Sequence, residues 1–306
     1  MKNDIYDLIE NINQEYLYLQ NSKEYRMGKR IYKIKHIIQK IDVMSIIYYI
    51  KSLKSQRQIK KISKTISKNE IFYCKKKLSQ PNAKCVVYTC ITNNYDAVNE
   101  SKIKKIDHIM FSDRKINSNT WEYKKIPTDI LELGGNIVNR YYKMHPFELF
   151  SKYDYAIYVD GNIQIVSDVT SIVQIARDSK IGIAMHLHPE RDCIYKEAKA
   201  CIISHRGNKK NINSQIRKYN NEGFPHNFGL LEATIIVVDL KNKIAKKIFS
   251  DWYNEFCESK SGRDQLSLPY VIWKNGYNIS DVGILGNYLL YNPIFRIRNL
   301  GEHKFK

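Results

Sequence analysis

The chain has 306 residues, 43% of them hydrophobic, with only 13 Gly and 7 Pro; it is long enough for one large domain plus an annex, and it is neither collagenous nor low-complexity. The formal charge is +19, and residues 1–80 carry 18 Lys/Arg against 7 Asp/Glu, a cationic arm suited to anionic lipid or an acidic polymer and equally consistent with a solvated helix surface. Six cysteines without a CxxC pair argue against a zinc knuckle or a thioredoxin-like site and fit reduced, cytosolic thiols.

Residues 1–80 predict helices. Ile5, Leu8, Ile9 and Ile12 recur at helical spacing, and "KRIYKIKHIIQKI" and "VMSIIYYIKSLKSQRQIKKI" alternate apolar and basic residues. Such stretches suit either a membrane interface or an annex packed on the main domain. The start of the chain has no apolar signal region, and "VMSIIYYI" is far too short to span a bilayer. The turn cluster "SQPNAK" (79–84) sets the expected boundary, with an annex over 1–80 and the main domain over 81–306.

Beyond it the texture changes. "CVVYTCI", "HIMFSD" and "WEYKKI" predict strands, and "GNIVNRYYKMHPFELF" predicts a helix. Next comes the strand "YDYAIYV", then "KIGIAMHLH" as a strand and "ERDCIYKEAKACIISH" as a helix. "EATIIVVDL" is a strand, and "KKIFSDWYNEFCES" and "QLSLPYVIWKNG" are helices. Strands alternating with helices predict an α/β domain with a mainly parallel sheet. No GxGxxG or P-loop pattern is present, nor an aromatic RNA-reading motif, so nucleic acid is not an expected partner.

Asp160 follows an uncharged strand, and ligands of open α/β sheets sit beyond the carboxyl ends of strands. Gly161 permits a tight turn. In an extended chain Asn162 shares a face with Asp160, and an acid and an amide oxygen suit a hard divalent cation that keeps several waters; a plain Asp-Gly turn is the alternative. In "MHLHPERDCIYKEA", His186 and His188 alternate along a strand, near Arg191, Asp192 and Glu197. They are either cleft ligands or satisfied strand-end histidines.

The block "NRYYKMHPFELFSKYDYAIYVDGNIQI" resembles the segment around the DxD motif of GT-A glycosyltransferases. More specifically, "YTCITNNYD", "FSD", "RYYKMHPFELF", "YVDGNIQI", "HPERDCIYKEA", "GLLEATIIV" and "RDQLSLPYVIW" resemble, in order, the DUF616 or TOD1/MUCI70-type glycosyltransferase-like domain family, over about residues 84–275. The resemblance implies a GT-A-like (Rossmann-like), mostly parallel sheet flanked by helices, outside which the N-terminal annex falls. It implies transfer of a hexose or uronic acid from a nucleoside-diphosphate sugar, with UDP favoured by family analogy, to a growing surface polysaccharide or glycolipid. Plant members of the family are linked to pectin synthesis. The reduced cysteines point to the cytoplasm, and the basic annex to a peripheral place on the inner face of the membrane.

By the same resemblance, Thr89, Thr92 and Asp113 line the nucleoside pocket, and Arg140 and Lys143 offset the diphosphate. His188, Arg191 and Glu197 contact donor sugar or diphosphate. Asp160 is the first acid of the motif, Asn162 replaces the second, and His303 in "NLGEHKFK" is a late third ligand for Mn or Mg. Glu232, Asp264 and Gln265 serve the acceptor and the anomeric centre. An inverting reaction needs one of these carboxylates as base; a retaining one lets the leaving phosphate guide the acceptor proton. Asp264 is also placed to cap the helix that follows. The rival readings are a metal-dependent hydrolase of a lipid amide or sugar nucleotide and a non-catalytic polyanion binder.

Overall fold

A computed structural model of the chain describes residues 83–297, other than 94, 104, 290 and 291, together with Met27. The annex expected over 1–80, its membrane-facing reading and His303 lie outside the described residues. Among those residues no helix is long and apolar enough to cross a membrane.

Strands β1 (Cys85–Ile91), β2 (Asp107–Ser112) and β4 (Tyr155–Val159) form where the sequence places apolar runs, and β3 (Glu122–Lys125) is a polar strand at the sheet edge. All of β4 and all but the first residue of β1 are buried, because parallel strands are covered on both faces. The seven-stranded sheet has the order β3-β2-β1-β4-β7-β6-β8. Here β6 is Ile183–Leu187, β7 is Leu231–Asp239 and β8 is Gly283–Ile284. Its first four strands run parallel, as do β6 and β8. β7 alone runs antiparallel to both of its neighbours, β4 and β6. The sheet is therefore mostly parallel, as expected; the reversal of β7 was not legible, since a continuous apolar run carries no direction.

The helices are α1 (Thr128–Leu131), α2 (Gly135–Met144), α3 (Pro146–Leu149), α4 (Thr170–Asp178), α5 (Ile194–Ile203), α6 (Lys209–Asn221), α7 (Lys243–Ser259) and α8 (Asp264–Lys274). The single helix expected over 135–150 breaks at His145 (φ −117°, ψ 40°). Pro146 cannot donate an N–H and disfavours helical backbone in the residue before it. α4 and α6 were not anticipated; α6 is polar on most of its surface and is held by the burial of Ile212, Gln215 and Tyr219.

The alternation of β1 splits the core. Val86, Tyr88 and Cys90 face α2, α5, α7 and α8, whereas Val87 and Ile91 face α4 and the last described residues, within 285–297. A small second sheet pairs β5 (Ile163–Ile165) antiparallel with β9 (Phe295–Ile297). It brings residues 292–297 beside the turn that follows β4. The five described cysteines are free.

Candidate active site

The carboxyl edge of the sheet is built around the end of β4. Asp160 accepts, through its carbonyl, from the N–H of Ile163 at 3.0 Å, and its own N–H donates to the Thr234 carbonyl at 3.0 Å. The chain turns here. The turn, and not strand alternation, therefore sets the direction of Asn162. Glycine is required at 161, where a Cβ would lie 2.9 Å from Ile91 Cγ1 and 3.0 Å from Asp96 Oδ2. The Asp160 carboxylate is 38% exposed and lies 3.8 Å from Lys143 Nζ.

Arg140 and Lys143 stand three residues apart on α2, on one helical face. Both reach Asp264, the first residue of α8: Arg140 Nη2 at 3.3 Å and Lys143 Nζ at 3.0 Å. Lys143 is buried and also lies 4.9 Å from the Tyr158 ring centre. Burial pushes the Asp264 carboxyl up, but Arg140, Lys143 and Arg263 outweigh it and hold the group well below the usual carboxylate range. Asp264 does not cap α8. Arg263 occupies the cap position without a side-chain cap bond, and the Asp264 carboxylate is turned to the two cations. Its carbonyl accepts from Trp252 Nε1 at 2.9 Å, which ties α7 to the start of α8.

Gln265 donates through Nε2 to the Leu231 carbonyl at 2.9 Å, and so fixes α8 to β7 beside Glu232. Glu232 lies opposite His186 at a bulge in the β6–β7 pairing. Its Oε1 accepts from Thr234 Oγ1 at 3.4 Å, while its buried Oε2 has no hydrogen-bond partner among the described residues. Burial, with the nearby charge of Asp160, pushes the Glu232 carboxyl up to about 7.

The ends of β1 and β2 meet the start of α2. Asp113 Oδ2 accepts from the N–H of Asn93 at 2.8 Å, and Thr92 Oγ1 donates to the Gly135 carbonyl at 3.4 Å. A Cβ at Gly135 would fall 2.1 Å from Asn93 Nδ2, so a larger residue there would displace the Asn93 side chain. Thr89 is deeper: 2% exposed, in a crevice with Asp160 and Gly161, its hydroxyl without a partner among the described residues. It sits below the Thr92–Asp113 edge rather than on it.

Past β6, the two histidines diverge. His186 is buried, and its Nε2 accepts from Asn292 Nδ2 at 2.9 Å. His188 Nδ1 accepts from the N–H groups of Glu190 and Arg191 at 3.2 and 3.1 Å, and its Nε2 faces Glu197 at 3.6 Å. Burial pulls both rings down to about 4. They do not make a joint metal pair, and among the described residues no three His, Cys, Asp or Glu side chains gather to hold an ion. Glu197 is the hub of a second cluster: Arg191 donates to it through Nε, Cys201 Sγ lies at 3.2 Å, and Arg263 Nη2 is 3.9 Å away. Burial pushes its carboxyl up, and Arg191 and His188 more than offset this. Asp192 is a surface residue paired with Lys196 at 2.9 Å.

Sequence reasoning did not single out Arg263 or Cys201. The signal for Arg263 was its place in "SGRDQ", between a glycine and Asp264.

Residues 128–280 match the family model described as TOD1/MUCI70, glycosyltransferase-like domain. No curated protein matches the chain. Similar solved structures include the WbbM bifunctional glycosyltransferase (14% identity, 68% of this chain and 39% of that one, TM-score 0.41). They also include core-mannan synthase A from Aspergillus fumigatus in its Mn/GDP form (9%, 76% and 83%, TM-score 0.39). The galactosyltransferase LgtC with donor and acceptor sugar analogues is a third (12%, 66% and 72%, TM-score 0.36). The chain thus spans about two-fifths of the length of WbbM. The family match covers half of the chain and contains α2, the end of β4, the Glu197 hub, Glu232 and the start of α8, so the chain belongs to the TOD1/MUCI70 family of glycosyltransferase-like domains.

Proposed function

We propose that the chain is a glycosyltransferase that moves a hexosyl or uronosyl group from a nucleoside-diphosphate sugar, with UDP as the carrier, to a surface polysaccharide or glycolipid. The observation that carries this reading is the meeting, at the carboxyl edge of the sheet, of half-exposed Asp160, the Arg140–Lys143–Asp264 cluster and Glu232. The nucleoside lies along the Thr92–Asp113 edge, and the diphosphate lies toward Arg140 and Lys143.

Asp160 keeps an oxygen open to solvent, which fits a hard divalent ion, Mn or Mg, that retains water and takes further oxygens from the diphosphate. Such an ion would be held by Asp160 with Asn162 and would supply charge neutralisation on the leaving group. The protein's own residues orient and hold protons. Asp264 fixes Arg140 and Lys143 against α2, and Gln265 locks α8 to β7. Glu232, with its carboxyl near 7, is poised to hold or release the acceptor proton. In the transfer, the bond from the anomeric carbon to the phosphate oxygen breaks and a bond to the acceptor oxygen forms. In a retaining course the acceptor proton passes to the departing phosphate, and in an inverting one to Glu232. The basic residues 1–80 are the proposed contact with an anionic membrane surface on the cytoplasmic side.

Thermal-shift screening of nucleotide sugars with and without manganese tests this reading. A bound donor raises the melting temperature of the wild type by mass action, and Asp160→Ala loses the manganese-dependent part. No shift with any nucleotide in the wild type sinks the proposal. Sugar found on water rather than on an acceptor would favour the hydrolase.

A further inference from the structure

Four cations surround two buried carboxylates at the heart of this site. Arg140, Lys143, Arg191 and Arg263 have side chains 22%, 3%, 19% and 19% exposed, against 5% for Asp264 and 3% for Glu197. The other acids paired with these cations, Asp160 and Glu190, are 38% and 45% exposed and belong partly to solvent. A surplus of largely buried positive charge is costly unless an anion completes it.

The cations are not equally engaged. Arg140 and Lys143 are committed to Asp264. Arg191 is committed to Glu197 through Nε and to Glu190 through Nη1 at 2.9 Å. Arg263 differs. Its Nε is buried without a hydrogen-bond partner among the described residues, as is that of Arg140, but Arg140 still donates to Asp264 through Nη2. The Arg263 Nη2 is 3.9 Å from Glu197, beyond hydrogen-bond length. A guanidinium offers five N–H donors in a flat fork that matches carboxylate or phosphate. The backbone makes room for it: Gly207 has φ +86°, and a Cβ there would lie 2.9 Å from Arg263 Cγ and 2.5 Å from the Ser261 carbonyl.

We propose that Arg263 binds an oxyanion of the substrate, and that Glu197 is a positioning residue, the buried counter-ion that holds Arg263 and Arg191 in place, rather than a donor contact itself. The oxyanion is either the donor diphosphate or a carboxylate on the sugar; the chemistry is the same. The inference rests on the glycosyltransferase reading for the identity of the anion, and on the charge geometry for the existence of the site.

The test uses the full chain as wild type, Arg263→Gln, Arg263→Lys and Glu197→Gln. Calorimetric affinities are measured for inorganic pyrophosphate, glucuronate, UDP, UDP-glucose and UDP-glucuronate, and melting temperatures are recorded alongside. If the diphosphate is the anion, Arg263→Gln weakens pyrophosphate and all three nucleotides by tenfold or more. If a sugar carboxylate is the anion, only glucuronate and UDP-glucuronate weaken. Arg263→Lys keeps the charge but not the fork, and it recovers part of the loss. Glu197→Gln weakens the same probes as Arg263→Gln in protein that is still folded at the measuring temperature; an unchanged affinity there would make Glu197 merely structural and overturn its role. Arg263→Gln binding every probe like wild type, or wild type binding no anionic probe, overturns the anion site. Pyrophosphate binding that needs Arg263, with no nucleotide bound, would keep the anion site and sink the glycosyltransferase reading instead.

Discussion

Glu232 holds its proton more tightly in the fold than in the unfolded chain, because burial and Asp160 push its carboxyl from 4.5 up to about 7. The stability linked to that proton is present below pH 4.5 and is lost as pH rises through about 7. Glu232→Gln should therefore melt higher than wild type at pH 8, by the equivalent of about 2–3 kcal/mol, and the gap should close toward pH 4.5. If Glu232 takes the acceptor proton, the same variant loses turnover by roughly 10²–10⁴-fold, and wild-type activity falls as pH drops below about 7. Gained stability with lost turnover would separate chemistry from folding in one protein. Asp264 has the opposite sign. Its carboxyl is depressed, so its contribution is present above about pH 4 and lost below it. Asp264→Asn leaves buried Lys143 without its closest charge partner, and denaturant midpoints should report a loss of roughly 3–5 kcal/mol. A loss below 1 kcal/mol would mean that the cluster is not a buried ion pair in solution.

Elements bring these residues together, and a few local devices aim the elements. Asn242 caps α7 by accepting from the N–H groups of Ile244 and Ala245 at 2.9 and 3.1 Å. Gly182, at φ +68°, lies against that cap, and a Cβ there would meet Asn242 Cβ at 2.5 Å and Cγ at 2.6 Å. Asn242→Ala should cost about 1 kcal/mol, the usual price of a lost N-cap. Gly182→Ala should cost more, because it adds left-handed strain and displaces the same side chain. Thermal unfolding of both variants checks the order; Gly182→Ala as mild as Asn242→Ala would contradict the close packing. β1, β2, β4, β6 and β7 were legible as apolar runs between polar turns, whereas the short β5, β8 and β9 were not. α6 was not, since "KKNINSQIRKYNN" shows few apolar positions until the buried stripe of Ile212, Gln215 and Tyr219 is known. The helix over 135–150 was legible except for its break, although Pro146 was the signal for it.

Across the described domain, its last described segment, residues 292–297, returns to the site. β9 pairs with β5 directly after the Asp160 turn, and Asn292 anchors that return on His186. Removing residues 292–306 should lower the melting temperature and weaken nucleotide binding together, in calorimetry on the shortened chain; full nucleotide affinity without that segment would show that it only packs. The sequence by itself determined the strands, the basic bias of residues 1–80, the position of Asp160 at a strand end and the order of motifs that resembles the family, because these depend on local composition and spacing. Tertiary structure alone decided which charges meet. Arg140 and Lys143 each lie more than 120 residues from Asp264 in the chain, and Arg263 shares Glu197 with Arg191 only because the loop after β6 and the start of α8 come together. Spacing along a chain fixes neighbours within one element; the partner of a buried charge is fixed by how separate elements pack, and that information is spread over the entire core.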